Sequence, residues 1–353
     1  VTPPRKKRPT SYDVAVRAGV SQATVSRVLT GNVKVSDDVR ERVARALAEL
    51  DYEPNSAARA MKTGHTGQIG VVMSAITNPF HQEMLREVSR RLVAANLHPV
   101  VWYLDHGADE LAVQAIRQRG IDGILLTSAT SSSAALEAAI DKQLPTVLLH
   151  RTVDDSFCDQ VGGDNFRGGY EVAQYFSDNG HTRIGMVTGS LMLSTTRERE
   201  RGFRAGLYDC GLDISEQSML RGEVSHATGV AAAERFLRLD DPPTAVFTTS
   251  DLLAFGVIDA LEAAGRSAPE DMWVVGFDNT EMADWTSFQL TSVDQPIREM
   301  VSIAVDLLRE QLEGAKRPPK KIVLPCKLVV RRSTAHVAFA PRAHASETAA
   351  DSK

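Results

Sequence analysis

Two groups of residues in this chain have the types and spacing to recognise other molecules. The first is Gln22, Ala23 and Arg27, which open a short run at helical spacing, the arginine one turn beyond the other two. An arginine fork can donate two hydrogen bonds to guanine O6 and N7, a glutamine amide can pair with a base edge, and an alanine methyl can touch thymine. Their neighbours Ser21, Thr24 and Ser26 are small hydroxyl residues suited to capping or to phosphate contacts, and Val25 and Leu29 are assigned to a core. The second group stands just beyond apolar runs that read as strands: Asn78 and His81, His150 and Arg151, Ser250, Asp278, and Gln295 at a crossover. Ligands of open parallel sheets bind outside the C-terminal ends of the strands, so these residues belong to one expected crevice.

Catalytic chemistry is not suggested. The sequence has no GxxxxGK[ST], HExxH or GxSxG motif and no evident carboxylate pair or Cys/His arrangement. Gly162-Gly163 and Gly168-Gly169 frame a loop-to-helix turn, but without the lysine and serine of a phosphate loop they read as a crossover capped by Asp164. The three cysteines (Cys158, Cys210, Cys326) lie far apart with no CxxC pair, which argues against a disulfide framework or zinc cage and reads as three small buried hydrophobes in a reducing cytoplasm. No cofactor is implied. No apolar run approaches the ~18 residues needed to cross a bilayer, and the opening VTPPRKKRPT has no apolar stretch that would make it a secretory signal.

The elements that must position these residues follow from periodicity. Thr10 with Asp13 starts a helix bearing Val14, Ala15 and Ala18, and Gly19 ends it; Ser21 caps a second helix; Ser36 with Asp37 and Asp38 starts a third carrying Val39, Val43, Ala46, Leu47 and Leu50. Two helices joined by a tight glycine turn form a helix-turn-helix, whose second helix can enter the major groove. Charge agrees: residues 1–63 hold 12 Lys/Arg against 7 Asp/Glu, while the remainder is acidic, in a chain of net charge −5. From Gln68 onward, strand patterns (Ile69–Met73, Pro99–Leu104, Ile121–Leu126, Pro145–Leu149) alternate with helices, one of them with Phe80, Met84, Val88 and Leu92 at intervals of four. Alternation restarts after Gly163 with strands at Ile184–Val187, Ala245–Thr248 and Trp273–Gly276. Helices are expected at Arg197–Tyr208, Leu252–Ala263 and Ile297–Leu312, and closing strands near Ile322 and Lys327. Two such runs mean two Rossmann-like lobes around a cleft.

The stretches DVAVRAGVSQATVSRVL and VSDDVRERVARALAELDYEPNSAARAMKTGHT closely resemble the head of the lac/gal repressor family of bacterial transcription regulators. The resemblance implies a small all-α helix-turn-helix domain followed by a two-lobed α/β body like the type I periplasmic binding proteins. It also implies that Gln22 and Ala23 set operator choice, and that Thr10, Asn32, Tyr52, Asn55, Ala58 and Lys62 belong to the DNA-contacting set. A hinge helix would follow Pro54, with Met61 where the family usually has a leucine wedge; an unstructured linker is the competing reading. Asn78-Pro79-Phe80-His81 resembles a sugar-holding Asn-Pro-Phe turn, and Arg199 matches the family's cleft arginine. Arg199 and Asp278 are expected at strand ends of the second lobe, holding paired hydroxyls, with Phe80 of the first lobe stacking on a sugar's apolar face. Sugar binders of this fold often carry aspartate where His150 stands and asparagine where Ser250 stands. Both departures weigh against a simple pentose or hexose and leave nucleobases, nucleosides or a phosphoprotein partner open.

The resulting expectation is a basic unstructured tail over 1–9, a DNA-binding domain over 10–54, a hinge over 55–66, an effector-binding body over 67–334 and an unstructured tail over 335–353. The first lobe comprises about 67–162 with 295–325, and the second about 163–294 with 326–334. The chain should act as a cytoplasmic, nucleoid-associated, homodimeric repressor of a sugar or related catabolic operon, with tetramers left open, an operator of double-stranded DNA, a sugar or polyol effector and no membrane partner. A free-standing solute-binding protein would share the body but would have no use for the basic head.

Overall fold

The computed structural model describes residues 9–29, 35–52, 64–74, 76–103, 108–130, 132–154 and 156–334. Asn32, Asn55, Ala58, Met61 and Lys62, together with the hinge and both expected tails (Pro9 apart), lie outside or almost wholly outside them. The chain divides into two units, Val1–Thr66 and Gly67–Lys353.

The first unit contains three helices, α1 (Ser11–Ala18), α2 (Gln22–Leu29) and α3 (Asp37–Glu49). Thr10 and Asp13 form the expected reciprocal capping box, and Gly19 ends α1 in the left-handed conformation at φ 65°. Val14, Ala15, Ala18, Val25, Val43 and Ala46 close a small core between the helices.

The second unit contains two six-stranded sheets. In the first lobe the order is β11-β5-β4-β3-β1-β2, built from β1 (Gln68–Met73), β2 (His98–Tyr103), β3 (Gly123–Leu126), β4 (Thr146–Leu149), β5 (Asp159–Gly163) and β11 (Lys321–Leu324), all paired parallel. In the second lobe the order is β12-β10-β9-β8-β6-β7, from β6 (Ile184–Thr188), β7 (Met219–Arg221), β8 (Ala245–Thr248), β9 (Trp273–Asp278), β10 (Thr291–Asp294) and β12 (Lys327–Val329). Only β12 runs antiparallel to its neighbour there. The central strands are buried throughout and mostly apolar because helices cover both faces.

One face of the first sheet packs on α4 (Pro79–Ala94) through Phe80, Met84, Val88 and Leu92, and on α11 (Ile297–Leu312) through Met300 to Leu308. The other face packs on α5 (Ala108–Arg117) and α6 (Ala134–Asp141). In the second lobe α7 (Asn165–Asp178) and α8 (Ser194–Asp209) cover one face, and α9 (His226–Leu237) and α10 (Asp251–Ala263) the other. The chain crosses between lobes after β5, after β10 and between β11 and β12, so the lobes share three connecting segments. Gly162-Gly163 ends β5 at the first of these, with Asp164 capping α7 through the Arg167 N–H.

Candidate functional site

In the head, α2 turns Gln22, Ala23 and Arg27 to solvent while Val25 is buried. Ser21 Oγ accepts the Thr24 N–H at 3.1 Å and lies 2.9 Å from Thr24 Oγ1, so both hydroxyls are occupied in starting the helix. Thr10 is engaged in the same way with Asp13. The Gln22 amide donates to Ser11 Oγ at 2.7 Å. Ser26 is half-buried, and Tyr52 packs half-buried against the head core. Leu29 departs from its assignment to the core. It is the last residue of α2, past the cluster that covers Val25, and is exposed.

In the body, all nine expected cleft residues are buried: Asn78, Phe80, His81, His150, Arg151, Arg199, Ser250, Asp278 and Gln295. Four form one bonded cluster around the Asp278 carboxylate. Arg199 Nη1 donates to Oδ1 at 3.1 Å, Gln295 Nε2 to the same oxygen at 2.7 Å, and Ser250 Oγ to Oδ2 at 2.9 Å. Asn78 of the first lobe reaches Ser250 of the second at 3.5 Å, its Oδ1 meanwhile accepting the Phe80 N–H to cap α4. His150 lies between two aromatic neighbours, with ring centroids 4.7 Å from Phe80 and 5.9 Å from His81. Arg151 donates from Nη1 to the Ser128 carbonyl at 3.1 Å.

Two of these residues hold left-handed backbone conformations at strand ends, His150 at φ 75° and Asp278 at φ 124°. For residues with a Cβ this costs about 1–3 kcal/mol each, and such outliers gather at binding sites. Several buried polar atoms also find no hydrogen-bond partner among the described residues, including Arg199 Nη2, Arg151 Nε and Thr249 Oγ1. Buried donors left this way are expensive and suit a site awaiting a polar ligand. A groove of about 1040 Å³ opens between the lobes, with Glu83 and Arg86 on one side, Asp278, Asn279 and Glu281 on the other, and Gln295 at the crossover. Arg199, Phe80 and His150 do not line this groove and are sealed from solvent.

Burial, with the positive charges of Arg199 and Arg151, holds His150 well below the ordinary histidine range, so its ring is neutral. Two carboxyls are buried together. Burial raises the Asp278 carboxyl, against the pull of Arg199 and of two further donors, Ser250 and Gln295. Asp251, at the start of α10, is pushed up to about 8 by burial and by the charge of Asp278, and is bonded by Thr280 and Ser292.

The structure corrects two expectations about placement. Arg199 is not at a strand end but in the second turn of α8, whose approach to α7 lets its Nε donate to Asn165 Oδ1 at 2.8 Å and its Nη1 to the Thr249 carbonyl at 2.7 Å. Its guanidinium also lies 3.7 Å from the centroid of Phe277. Phe80 is not a free stacking surface. It is fully buried in the first lobe's core against His150, because a phenylalanine at the second position of α4 points into the sheet rather than across the cleft. Cys158 and Cys326 are buried hydrophobes as read, whereas Cys210 is half-exposed at the end of α8.

Sequence reasoning passed over Asn165 and Thr249 as members of the site. Asn165 directly follows the cap Asp164, and Thr249 directly precedes Ser250 after β8, so the rule of polar residues at strand ends, which reaches Ser250-Asp251, could have found both. Among the described residues no group of three or more His, Cys, Asp or Glu side chains could hold a metal ion, and no helix is long and apolar enough to cross a membrane.

Comparison with known proteins agrees with this architecture. Residues 10–55 match the family of bacterial regulatory proteins termed the lacI family, and residues 173–334 match the periplasmic binding protein-like domain. The HTH-type transcriptional regulator DegA of Bacillus subtilis is 32% identical over 92% of this chain and 98% of its own. A structure of the transcriptional regulator CelR in complex with cellobiose is 31% identical, with a TM-score of 0.71 over 92% of this chain and all of that one. The lac repressor dimer bound to operator and an anti-inducer has a TM-score of 0.82 at 26% identity, over 93% of this chain and 99% of that one. With its helix-turn-helix head and two-lobed parallel α/β body, the chain belongs to the lacI family of bacterial regulatory proteins and is a DNA-binding transcription regulator rather than an enzyme.

Proposed function

We propose that the chain is a homodimeric repressor of a sugar or related catabolic operon, acting at the nucleoid and controlled by a polyol effector in the cleft between its lobes. The observation that carries this reading is the buried cluster of Arg199, Asp278, Ser250 and Gln295, joined to Asn78 of the other lobe and retaining buried donors without partners. A ligand bonded to both sides of such a cleft binds and closes it in one event, and its differential affinity for two lobe arrangements is the coupling to DNA. That a regulator similar to this chain is found with cellobiose, and another as a dimer on operator, supports both halves of the proposal.

Two heads related by a twofold axis read a near-palindromic operator, with Gln22 and Ala23 choosing bases and Arg27 forking onto a guanine. In this proposal Asn32, Tyr52, Asn55, Ala58 and Lys62 contact DNA around them, and Met61 of each hinge wedges a central base step. The DNA-binding domain spans 10–54 and the hinge 55–66. Nucleosides or a phosphoprotein remain the second class of effector, since His150 and Ser250 replace the side chains usual in sugar binders.

The test is operator selection with the full chain from randomised palindromes, followed by affinity measurement with and without candidate sugars. Arg27→Ala should cost roughly 1–3 kcal/mol of operator binding. A protein that selects no sequence, or whose operator affinity no candidate effector alters, would refute the proposal.

A further inference from the structure

The positive charge of the DNA-binding unit is concentrated just before the described chain begins. Residues 5–8 are Arg-Lys-Lys-Arg, immediately ahead of Pro9, whereas residues 9–63 hold 8 Lys/Arg against 7 Asp/Glu and are close to neutral. Three of those eight cations already face carboxylates: Arg17 lies beside Glu49, Arg40 beside Asp37 and Arg42 beside Asp38. The three helices therefore offer little surplus charge to a polyanion. The fold also fixes where the run at 5–8 joins the head. The Thr10 N–H donates to Asp13 Oδ2 at 2.8 Å, which holds the entry to α1. The Gln22 amide donates to Ser11 Oγ at 2.7 Å, which ties the first residue of α1 to the first residue of α2. The chain thus enters α1 beside the N-terminal end of α2, the end that turns Gln22 and Ala23 to solvent.

We infer that Arg5, Lys6, Lys7 and Arg8 make a second DNA contact, gripping backbone phosphates next to the bases that α2 reads. This rests on the reading of α2 as the groove-facing helix and adds to it a contact that is independent of sequence. Reach permits it. Four residues span at most roughly 14 Å, and duplex DNA presents one phosphate per ~1.7 Å of its axis. Every cation of the run therefore has phosphates within range of a head docked through α2. Lysine and arginine neutralise phosphates whatever the base sequence, and each neutralised phosphate releases condensed counterions. The division of labour follows from charge. Helix α2 supplies discrimination between sequences, while the run supplies affinity for any duplex and, with it, most of the salt dependence.

The experiment measures binding by the full-length chain, across a range of salt concentrations, to two duplexes: the operator selected from randomised palindromes and a scrambled duplex of the same length. Wild type is compared with a variant carrying Arg5→Gln, Lys6→Gln, Lys7→Gln and Arg8→Gln, and with an Arg5→Lys, Arg8→Lys variant that keeps all four charges. In the glutamine variant the slope of log K against log salt should become shallower by about 3–4 for each head engaged, on both duplexes, and affinity at low salt should fall by about tenfold or more. Its preference for operator over scrambled DNA should stay within about threefold of wild type. The milder pair Lys6→Gln, Lys7→Gln should lose about half as much slope. The lysine variant should keep the wild-type slope. Melting temperatures should agree throughout, because residues of α1, α2 and α3 close the head core. A slope that changes by less than about 1, the worth of one phosphate contact, overturns the inference. So does a loss confined to the operator, which would make the run a reader of bases, and so does a lysine variant as shallow as the glutamine one. Failure of the α2 reading looks different: Arg27→Ala would then leave operator preference intact, while the slope on scrambled DNA still reports the run.

Discussion

Glu83 and Glu281 fasten the two lobes together across the mouth of the cleft. The Glu83 carboxylate, on α4 of the first lobe, accepts the Glu281 N–H of the second at 2.7 Å, and Arg86 reaches the Glu281 carboxylate at 3.5 Å. Burial raises the Glu83 carboxyl above the usual range, against the opposing pull of that N–H and of Arg86. The two contacts hold the lobes at the arrangement in which Asn78 meets Ser250. Glu83→Ala should therefore favour an open body and weaken effector binding by roughly 1 kcal/mol, the worth of a single hydrogen bond. Small-angle scattering should show a larger radius of gyration, and Glu83→Gln, which keeps an acceptor, should not. An unchanged radius in Glu83→Ala would mean that this contact does not govern closure.

Arg199 and Asp278 form a pair sealed from water, and removing one partner strands the other. Arg199→Ala should cost about 3–5 kcal/mol of body stability and abolish the effector's influence on operator affinity. Replacing both residues together, by Met at 199 and Leu at 278, should restore much of the stability but none of the response. Melting curves and operator titrations with effector measure the two quantities separately. An Arg199→Ala protein of wild-type stability would contradict the buried pairing.

The raised carboxyl of Asp251 makes a prediction about pH. Its folded value of about 8 lies above that of an unfolded aspartate, so between roughly pH 4 and 8 the folded state holds a proton that the unfolded state has lost. The associated stability is complete below the unfolded value and is lost as pH rises through 8. His150, held well below 6.5, and His181, lowered to about 4 by burial, act in the opposite sense, and only below about 6.5. Between pH 7 and 8 the Asp251 carboxyl, with its neighbour Asp278 raised in the same sense by burial, sets the trend, at about 1.4 kcal/mol per pH unit for one proton. Wild type should melt lower at pH 8 than at pH 7, and Asp251→Asn should flatten that difference. Equal slopes in the two proteins would assign the effect elsewhere.

The close approach of α7 and α8 positions Arg199, and glycines permit it. A Cβ on Gly202 would fall 1.9 Å from the Phe166 carbonyl oxygen, and one on Gly169 would fall 2.2 Å from the Arg199 carbonyl oxygen. Backbone cannot yield as a side-chain tip can, so Gly202→Ala should destabilise the second lobe by roughly 3 kcal/mol or more and weaken the effector response by displacing Arg199. Melting temperature and effector titration should both fall. A tolerated alanine would show that the helices can separate without consequence.

Whatever one element encodes locally is legible before the chain folds. Phe80, Met84, Val88 and Leu92 at intervals of four mark a helix whatever packs on it, and Ile297–Leu312 emerges at the bounds read from its pattern. The capping box of Thr10 and Asp13 and the stop at Gly19 are equally local. Weak or short elements escaped: β7 has three residues, half-exposed at a sheet edge, and carries too little pattern to read, and α9 and β10 were passed over with it. The tertiary structure alone decided which polar groups share a dielectric environment. Arg199 stands in the charged run RERER, and only the closing of α7 on α8 places it against Asp278, 79 residues away. Asn78 and Ser250, 172 residues apart, meet only because the chain passes three times between the lobes. Periodicity reports which face of an element is apolar. The burial of Asp251 and of Arg151 and the enclosure of Phe80 depend on what lies opposite that face, which is set by the packing of distant segments.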